Sequence, residues 1–293
     1  MTHRRVYSSD ELRALLLVPD GPLRRLEVVA SVPSTNTAVA ADLRADPGSW
    51  PSPGLLVADE QTAGRGRAGR TWVTPPGEAL TCTFVMRPTV GRDAYGWFPL
   101  LAGLGLVRAL RATAGLPAAL KWPNDVLLDA GPNAPAVLGW GTARKVAGIL
   151  VEVVPDAPAE APVVLVGIGV NVSQRADELP VPFATSLAAA GARHVDREGV
   201  LVALVTALSQ VADRFAAAGG DAAASGLAEE VASVCLTLGE RVVVELPGGR
   251  AVTGTAVRLD RSGALVVRQD DGAEVTVLAG DVTHVRASGP EER

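Results

Sequence analysis

Gln61-Thr-Ala-Gly-Arg-Gly-Arg-Ala-Gly-Arg70, followed by Thr71-Trp72, alternates three glycines with three arginines directly after a predicted strand. Glycines let a ligand approach the backbone and meet its N–H groups, while guanidinium forks grip phosphate or carboxylate oxygens in pairs. The loop is not a Walker loop, because no Gly-Lys-Ser/Thr follows. It reads as an anion site. A solvated Arg/Gly loop remains open beside that reading, whereas the single copy between predicted strands argues against a disordered nucleic-acid tract.

Three further segments carry chemistry. Lys121-Trp122-Pro123-Asn124-Asp125 interrupts a strand with polar groups and a proline, a poor choice for structure alone. Lys145-Val-Ala-Gly-Ile-Leu-Val-Glu152 opens an apolar strand with a lysine and places Gly148 inside it. A mid-strand glycine weakens a sheet unless something must come close to the backbone. Gly167-Ile-Gly-Val-Asn171 repeats the device and ends in an amide able to meet phosphate or a metal-bound water. Taken singly, each also suits a bland role as a snorkelling lysine, a tight turn or a strand end. Lys and Arg together number 27, yet Lys121 and Lys145 are the chain's only lysines. In a chain that uses arginine wherever either residue serves, retained ammonium groups mark candidate sites, with chance retention the open alternative.

The elements that must position these residues follow from periodicity. Ser8 and Glu11 have capping-box spacing ahead of Leu12, Leu15 and Leu16, which predicts a short helix. Ser34 is placed to cap a helix running to about Arg44. Strands are expected at Arg25–Val29, Gly54–Asp59, Ala79–Met86, Ala119–Trp122, Asp125–Leu128, Lys145–Val154 and Val163–Val172, with a mostly apolar helix over Trp97–Ala114. Leu201, Leu204, Val205, Leu208, Val211 and Phe215 share one face of another helix. Beyond Gly239, five short β-type runs separated by glycine turns predict a small antiparallel barrel of about 50 residues. The domain boundary is expected near residue 237, giving domains 1–237 and 238–293. Ala130–Ala136 and Pro155–Pro162 read as surface loops.

Bulk composition removes other classes. Of 293 residues, 48% are hydrophobic and 20% charged, which describes a folded chain with room for a sizeable core. The net charge of −5 argues against a protein that coats nucleic acid. No apolar run approaches the roughly 18–20 residues of a membrane span, and the polar N-terminus is no secretory signal, so a cytoplasmic location is expected. Cys82 and Cys235 form neither a disulfide framework nor a zinc pattern and read as buried strand residues; His3, His194 and His284 read as surface or structural.

In their order, Ser34-Thr35-Asn36, the Gly64–Arg70 loop with Trp72, Lys121–Asp125, Lys145–Glu152 and Gly167–Asn171 resemble the biotin–protein ligase family over nearly the whole chain. The C-terminal runs resemble that family's small barrel of the Src-homology-3 type. The resemblance implies an α+β fold: a mixed β-sheet packed with helices, like class II aminoacyl-tRNA synthetases and biotin ligases, plus the barrel. It implies an enzyme that joins biotin and ATP into biotinyl-5′-adenylate and passes the biotinyl group to a lysine of a biotin carboxyl carrier protein domain of an acetyl- or propionyl-CoA carboxylase. Ser34, Thr35, Asn36, Gln61, Arg65, Gly66, Arg67, Lys145 and Gly148 would bind biotin, with Gly148 leaving room for its bicyclic ring. Arg70, Trp72, Lys121, Asn124, Asp125 and Asn171 would bind ATP and its magnesium, with no separate structural metal. Lys145, Arg67 and Arg65 would be catalytic.

Two departures stand out. Asp129 to Ala143 is a Pro/Gly-rich excursion where the family passes quickly between strands. About 25 residues precede the first core strand, too few for the winged helix-turn-helix of repressor relatives, so no DNA binding is expected. A lipoyl or octanoyl ligase of the same fold is the rival enzyme, and a non-enzymatic biotin-responsive regulator the rival of another class; monomer and homodimer both stay open.

Overall fold

The computed structural model describes residues 7–73, 75–131, 134–154, 162–192, 196–246, 249–278 and 280–284. His3, His194 and nearly all of the Pro155–Pro162 loop lie outside the described residues. In chain order the elements are α1 (Ser9–Leu16), β1 (Arg25–Val32), α2 (Thr35–Ala45), β2 (Gly54–Gln61), β3 (Ala79–Met86), α3 (Phe98–Ala114), β4 (Ala119–Lys121), β5 (Asp125–Asp129), β6 (Ala143–Val153) and β7 (Val164–Asn171). There follow α4 (Arg197–Ala217), α5 (Leu227–Val234), β8 (Arg241–Glu245), β9 (Ala251–Leu259), β10 (Leu265–Arg268), β11 (Glu274–Val277) and β12 (Asp281–His284).

The first seven strands form one sheet in the order β1-β2-β3-β7-β6-β5-β4. β1 and β2 run parallel and every other neighbouring pair antiparallel, so the sheet is mixed, as expected. Side chains alternate across a strand, and the core divides accordingly. Leu55, Val57, Leu80, Cys82, Phe84, Val166 and Ile168 join one cluster with α3 and α4. Leu56, Val85 and Leu165, one register step away, join Val39 and Leu43 of α2 in a second. Gly105 lets α3 and α4 meet closely: a Cβ there would stand 3.3 Å from Leu208 Cα.

Helix α4 departs from one expectation. By length and composition alone it is apolar enough to cross a membrane, with a mean hydropathy of 1.5. Its Val200, Leu201, Leu204, Val205, Leu208, Val211 and Phe215 are nevertheless buried in the core. Ser8 does not cap α1 with its side chain; its backbone N–H donates instead to the Glu198 carboxylate on α4. Ser34 caps α2 as read, accepting from Thr37 N at 3.5 Å. Both cysteines are buried and free, and burial pushes their thiols up from the ordinary value.

The C-terminal strands form a five-stranded antiparallel sheet in the order β11-β10-β9-β8-β12. Among the described residues β11 and β12 do not pair with each other, so the strands of the expected barrel form an open sheet there rather than a closed one. It is fastened to the β4 end of the large sheet. Leu236 N donates to Leu120 O at 2.8 Å, and Trp122 N donates to Thr237 Oγ1 at 3.0 Å. The β9–β10 turn grips two indoles: Arg261 O accepts from Trp97 Nε1 at 2.8 Å and Gly263 O from Trp122 Nε1 at 3.2 Å. His284 is buried at this joint, 3.4 Å from Thr237 Oγ1.

Candidate active site

Every residue the sequence singled out for a site lines one cavity of about 570 Å³: Ser34, Thr35, Asn36, Gln61, Arg65, Gly66, Arg67, Arg70, Trp72, Lys121, Asn124, Asp125, Lys145, Gly148 and Asn171. The cavity is lined in part by β6 and β7, whose Gly148, Gly167 and Gly169 face it.

One end is built at the start of α2. Gln61 Oε1, at the end of β2, accepts from Thr35 N at 2.9 Å and from Thr35 Oγ1 at 3.2 Å. Asn36 is held still more firmly. Its Nδ2 donates to Glu152 Oε2 at 2.8 Å and Leu150 O at 3.2 Å, while its Oδ1 accepts from Thr83 Oγ1 at 2.6 Å. With both amide hydrogens already donated, Asn36 organises this end more than it offers donors to a ligand. The neutral hydroxyls and amides around it suit a polar, uncharged group.

Gly167 explains the packing. A Cβ there would stand 2.4 Å from Asn36 Oδ1, so the glycine is the space the amide occupies. Gly169 does the same for Trp72, whose Cε2 would meet a Cβ at 2.6 Å. Over Gly148 lie Lys145 Nζ, 3.2 Å from a Cβ position, and Trp72 Cζ3, at 3.3 Å. What comes close to these backbones here is therefore the protein's own side chains.

The Arg/Gly loop is a closed hairpin. Trp72 N donates to Gly64 O at 2.9 Å and Gly66 N to Arg70 O at 2.7 Å. Ala68, at its tip, adopts a left-handed backbone with φ 52°, a conformation that costs an L-residue about 1 kcal/mol. Arg67 Nη1 donates to Asn124 Oδ1 at 3.1 Å, and Asn124 Nδ2 to Ile149 O at 2.8 Å, which docks the hairpin onto the β4–β5 turn. Arg65 Nη2 lies 3.4 Å from Glu152 Oε1.

Lys145 Nζ sits at the centre, 2.6 Å from Asp125 Oδ1 and 5.6 Å from the Trp72 ring centroid. Asn171, at the far end, is fixed by Nδ2 donating to Thr185 O at 2.9 Å and Oδ1 accepting from Gln174 Nε2 at 3.2 Å. Beside it stand groups that the sequence reading missed. Trp140, from the excursion before β6, stacks on Phe183, while Glu245, Val282 and Thr283 of the C-terminal sheet close the wall. An isolated tryptophan in a Pro/Gly-rich loop was a signal for Trp140; the C-terminal residues had none.

Residues 28–171 match the model of the "Biotin/lipoate A/B protein ligase family", and residues 237–285 match "Biotin protein ligase C terminal domain". The biotin–[acetyl-CoA-carboxylase] ligase of Mycobacterium tuberculosis is 37% identical over 279 residues, covering 94% of this chain and 94% of that protein. The chain belongs to the biotin–protein ligase family. A second member, the biotin–[acetyl-CoA-carboxylase] ligase of Paracoccus denitrificans, is 35% identical and aligns over 86% of this chain and 98% of its own. Among solved structures, the biotin protein ligase from Aquifex aeolicus in complex with biotin and ATP superposes with a TM-score of 0.68 at 28% identity, covering 90% of this chain and 100% of that one. Family membership agrees with the motifs, and the C-terminal sheet lies within the residues that match the C-terminal domain.

Proposed function

We propose that this chain is an ATP-dependent ligase that activates biotin as biotinyl-5′-adenylate and transfers it to a lysine of a biotin carboxyl carrier protein domain. The observation that carries the reading is Lys145: an ammonium between a neutral, hydroxyl- and amide-lined end and an aromatic, asparagine-bearing end of a single cavity. In the first step a biotin carboxylate oxygen attacks the α-phosphorus of ATP. The bond to the bridging oxygen breaks, and pyrophosphate leaves with the electron pair. In the second step the carrier's lysine, as free amine, attacks the acyl carbon; AMP departs and the amine loses a proton.

Bringing carboxylate to phosphate sets like charges about 4 Å apart, a cost of about 4 kcal/mol at an effective dielectric near 20. In this reading Lys145 and the Arg65, Arg67 and Arg70 guanidiniums offset it and stabilise charge that grows on the phosphorus. On the same reading Ser34, Thr35, Asn36 and Gln61 form the ureido end, Gly66 belongs to the loop over biotin, Gly148 lets Lys145 and Trp72 lie close to the sheet beside it, and Trp72, Lys121, Asn124, Asp125 and Asn171 face the nucleotide. Among the described residues no three His, Cys, Asp or Glu side chains group to hold a metal ion. Magnesium would arrive on the triphosphate, where it keeps waters and needs only one or two protein oxygens; Asp125, 2.6 Å from Lys145 Nζ, is a carboxylate that could supply one. When bound, the ion supplies neutralising charge at the phosphates. A domain boundary near residue 237 goes with this reading.

Incubating the pure protein with ATP, magnesium, labelled biotin and a carrier domain should label one carrier lysine. No label, with an active control alongside, would sink the reading; competition by lipoate would point to a lipoyl-type ligase.

A further inference from the structure

The excursion between β5 and β6 is rich in proline and glycine, and its last turn reaches the cavity. The turn is locked from within. Val137 N donates to Gly141 O and Trp140 N to Val137 O, both at 2.9 Å. The buried Arg144 guanidinium donates to Gly141 O at 2.9 Å, to Ala143 O at 3.0 Å and to Pro135 O. From outside, the turn rests on β12: a Cβ on Gly139 would stand 2.7 Å from Thr283 Cγ2.

A turn held this way presents Trp140 rigidly. Its ring stacks on Phe183 with centroids 4.5 Å apart and planes 6° from parallel. Lys121 Nζ lies 3.6 Å from the Trp140 ring centroid, and Lys121 is buried. Phe183 in turn borders Lys145: Phe183 O accepts from Lys145 N at 2.7 Å, and Thr185 N donates to Lys145 O at 2.8 Å. One indole thus touches Lys121 and the segment that flanks Lys145. An aromatic face stabilises a desolvated ammonium and holds its flexible stem in one rotamer. Flat rings and an ammonium complement a base and phosphates, whereas the α2 end offers hydroxyls and amides, with its one nearby guanidinium, Arg65, paired to Glu152.

We propose that Trp140 is a positioning residue for the nucleoside triphosphate. It fixes the Lys121 ammonium and the Phe183 ring at the nucleotide end, so the excursion sets affinity for ATP and leaves biotin binding alone. This rests on the ligase reading above.

Steady-state pyrophosphate release is measured with ATP varied at saturating biotin, and with biotin varied at saturating ATP. Trp140→Leu keeps apolar bulk without a ring; Trp140→Phe keeps an aromatic face. The leucine variant should raise KM for ATP about fivefold to thirtyfold, with kcat near the parent's and KM for biotin unchanged, and the phenylalanine variant should recover most of the loss. Phe183→Leu, which removes the stacking partner and leaves the turn intact, should show the same ATP-selective rise and serves if Trp140→Leu does not fold. An unchanged KM for ATP, an equal rise in both KM values, or a phenylalanine variant as poor as the leucine one overturns the proposal. A parent protein that releases no pyrophosphate fails the ligase reading itself, whereas an active parent with unselective variants fails only this inference.

Discussion

Lys145 shows how little freedom the central charge has. Its Nζ is 2.6 Å from Asp125 Oδ1, and Trp72 and the Gly148 backbone bound the space around it. A guanidinium keeps the charge but is wider, planar and differently directed. Lys145→Arg should therefore fold normally yet lower the rate of ATP–pyrophosphate exchange at least about a hundredfold, the scale of losing one well-placed stabilising group. Near-parent exchange in that variant would remove Lys145 from the chemistry. Asn36 makes a similar point for neutral groups. Its amide is anchored by Thr83, Glu152 and Leu150 and fills the space that Gly167 leaves. A residue can be indispensable to a binding site because of what it orders.

At the scale of elements, legibility followed the range of the interactions. Ser34 and Leu201 to Phe215 announce themselves through local capping and a 3.6-residue period, and the structure has the α2 cap and the α4 core face that these predict. The Ser8–Glu11 pattern located helix α1, although a distant carboxylate, Glu198, rather than Glu11 took the Ser8 N–H. The order β3-β7-β6 and the parallel pairing of β1 with β2 depend on contacts between remote segments, which no local pattern encodes. Site residues inside glycine-marked motifs were legible because a mid-strand glycine is costly without a reason. Trp140 was not, since its loop showed composition but no periodicity. The α3–α4 crossing gives a test at this scale. Gly105→Val would drive methyl groups into the Leu208 backbone, 3.3 Å from the Cβ position. Overpacking of this kind costs about 1–3 kcal/mol, so the urea midpoint should fall; an unchanged midpoint would show that the helices can part without loss.

At the scale of the molecule, the two sheets act together because the β9–β10 turn holds Trp97 and Trp122. Asp260 shapes that turn: its Oδ1 accepts from Ser262 N at 2.8 Å, Ser262 Oγ at 2.7 Å and Ala264 N at 3.0 Å. Desolvation pushes its carboxyl up, but these bonds and nearby Arg258 outweigh it and hold it below the usual range. A carboxyl lowered on folding stabilises above its unfolded value and loses that contribution as pH falls through its folded one. Asp260→Asn should therefore melt below the parent at neutral pH, by about 1–2 kcal/mol, and the gap should close below about pH 4. A gap that is constant with pH would mean that the charge plays no part in the joint.

Because both of the chain's lysines line the cavity, none is left on the outer surface. A mixed anhydride that escapes into solution acylates amines indiscriminately, and the enzyme that makes it is ordinarily the nearest victim. Here the coat is arginine, whose guanidinium stays protonated and does not attack acyl carbon. A reactive product released beside the molecule therefore meets no lysine side chain on its outer surface.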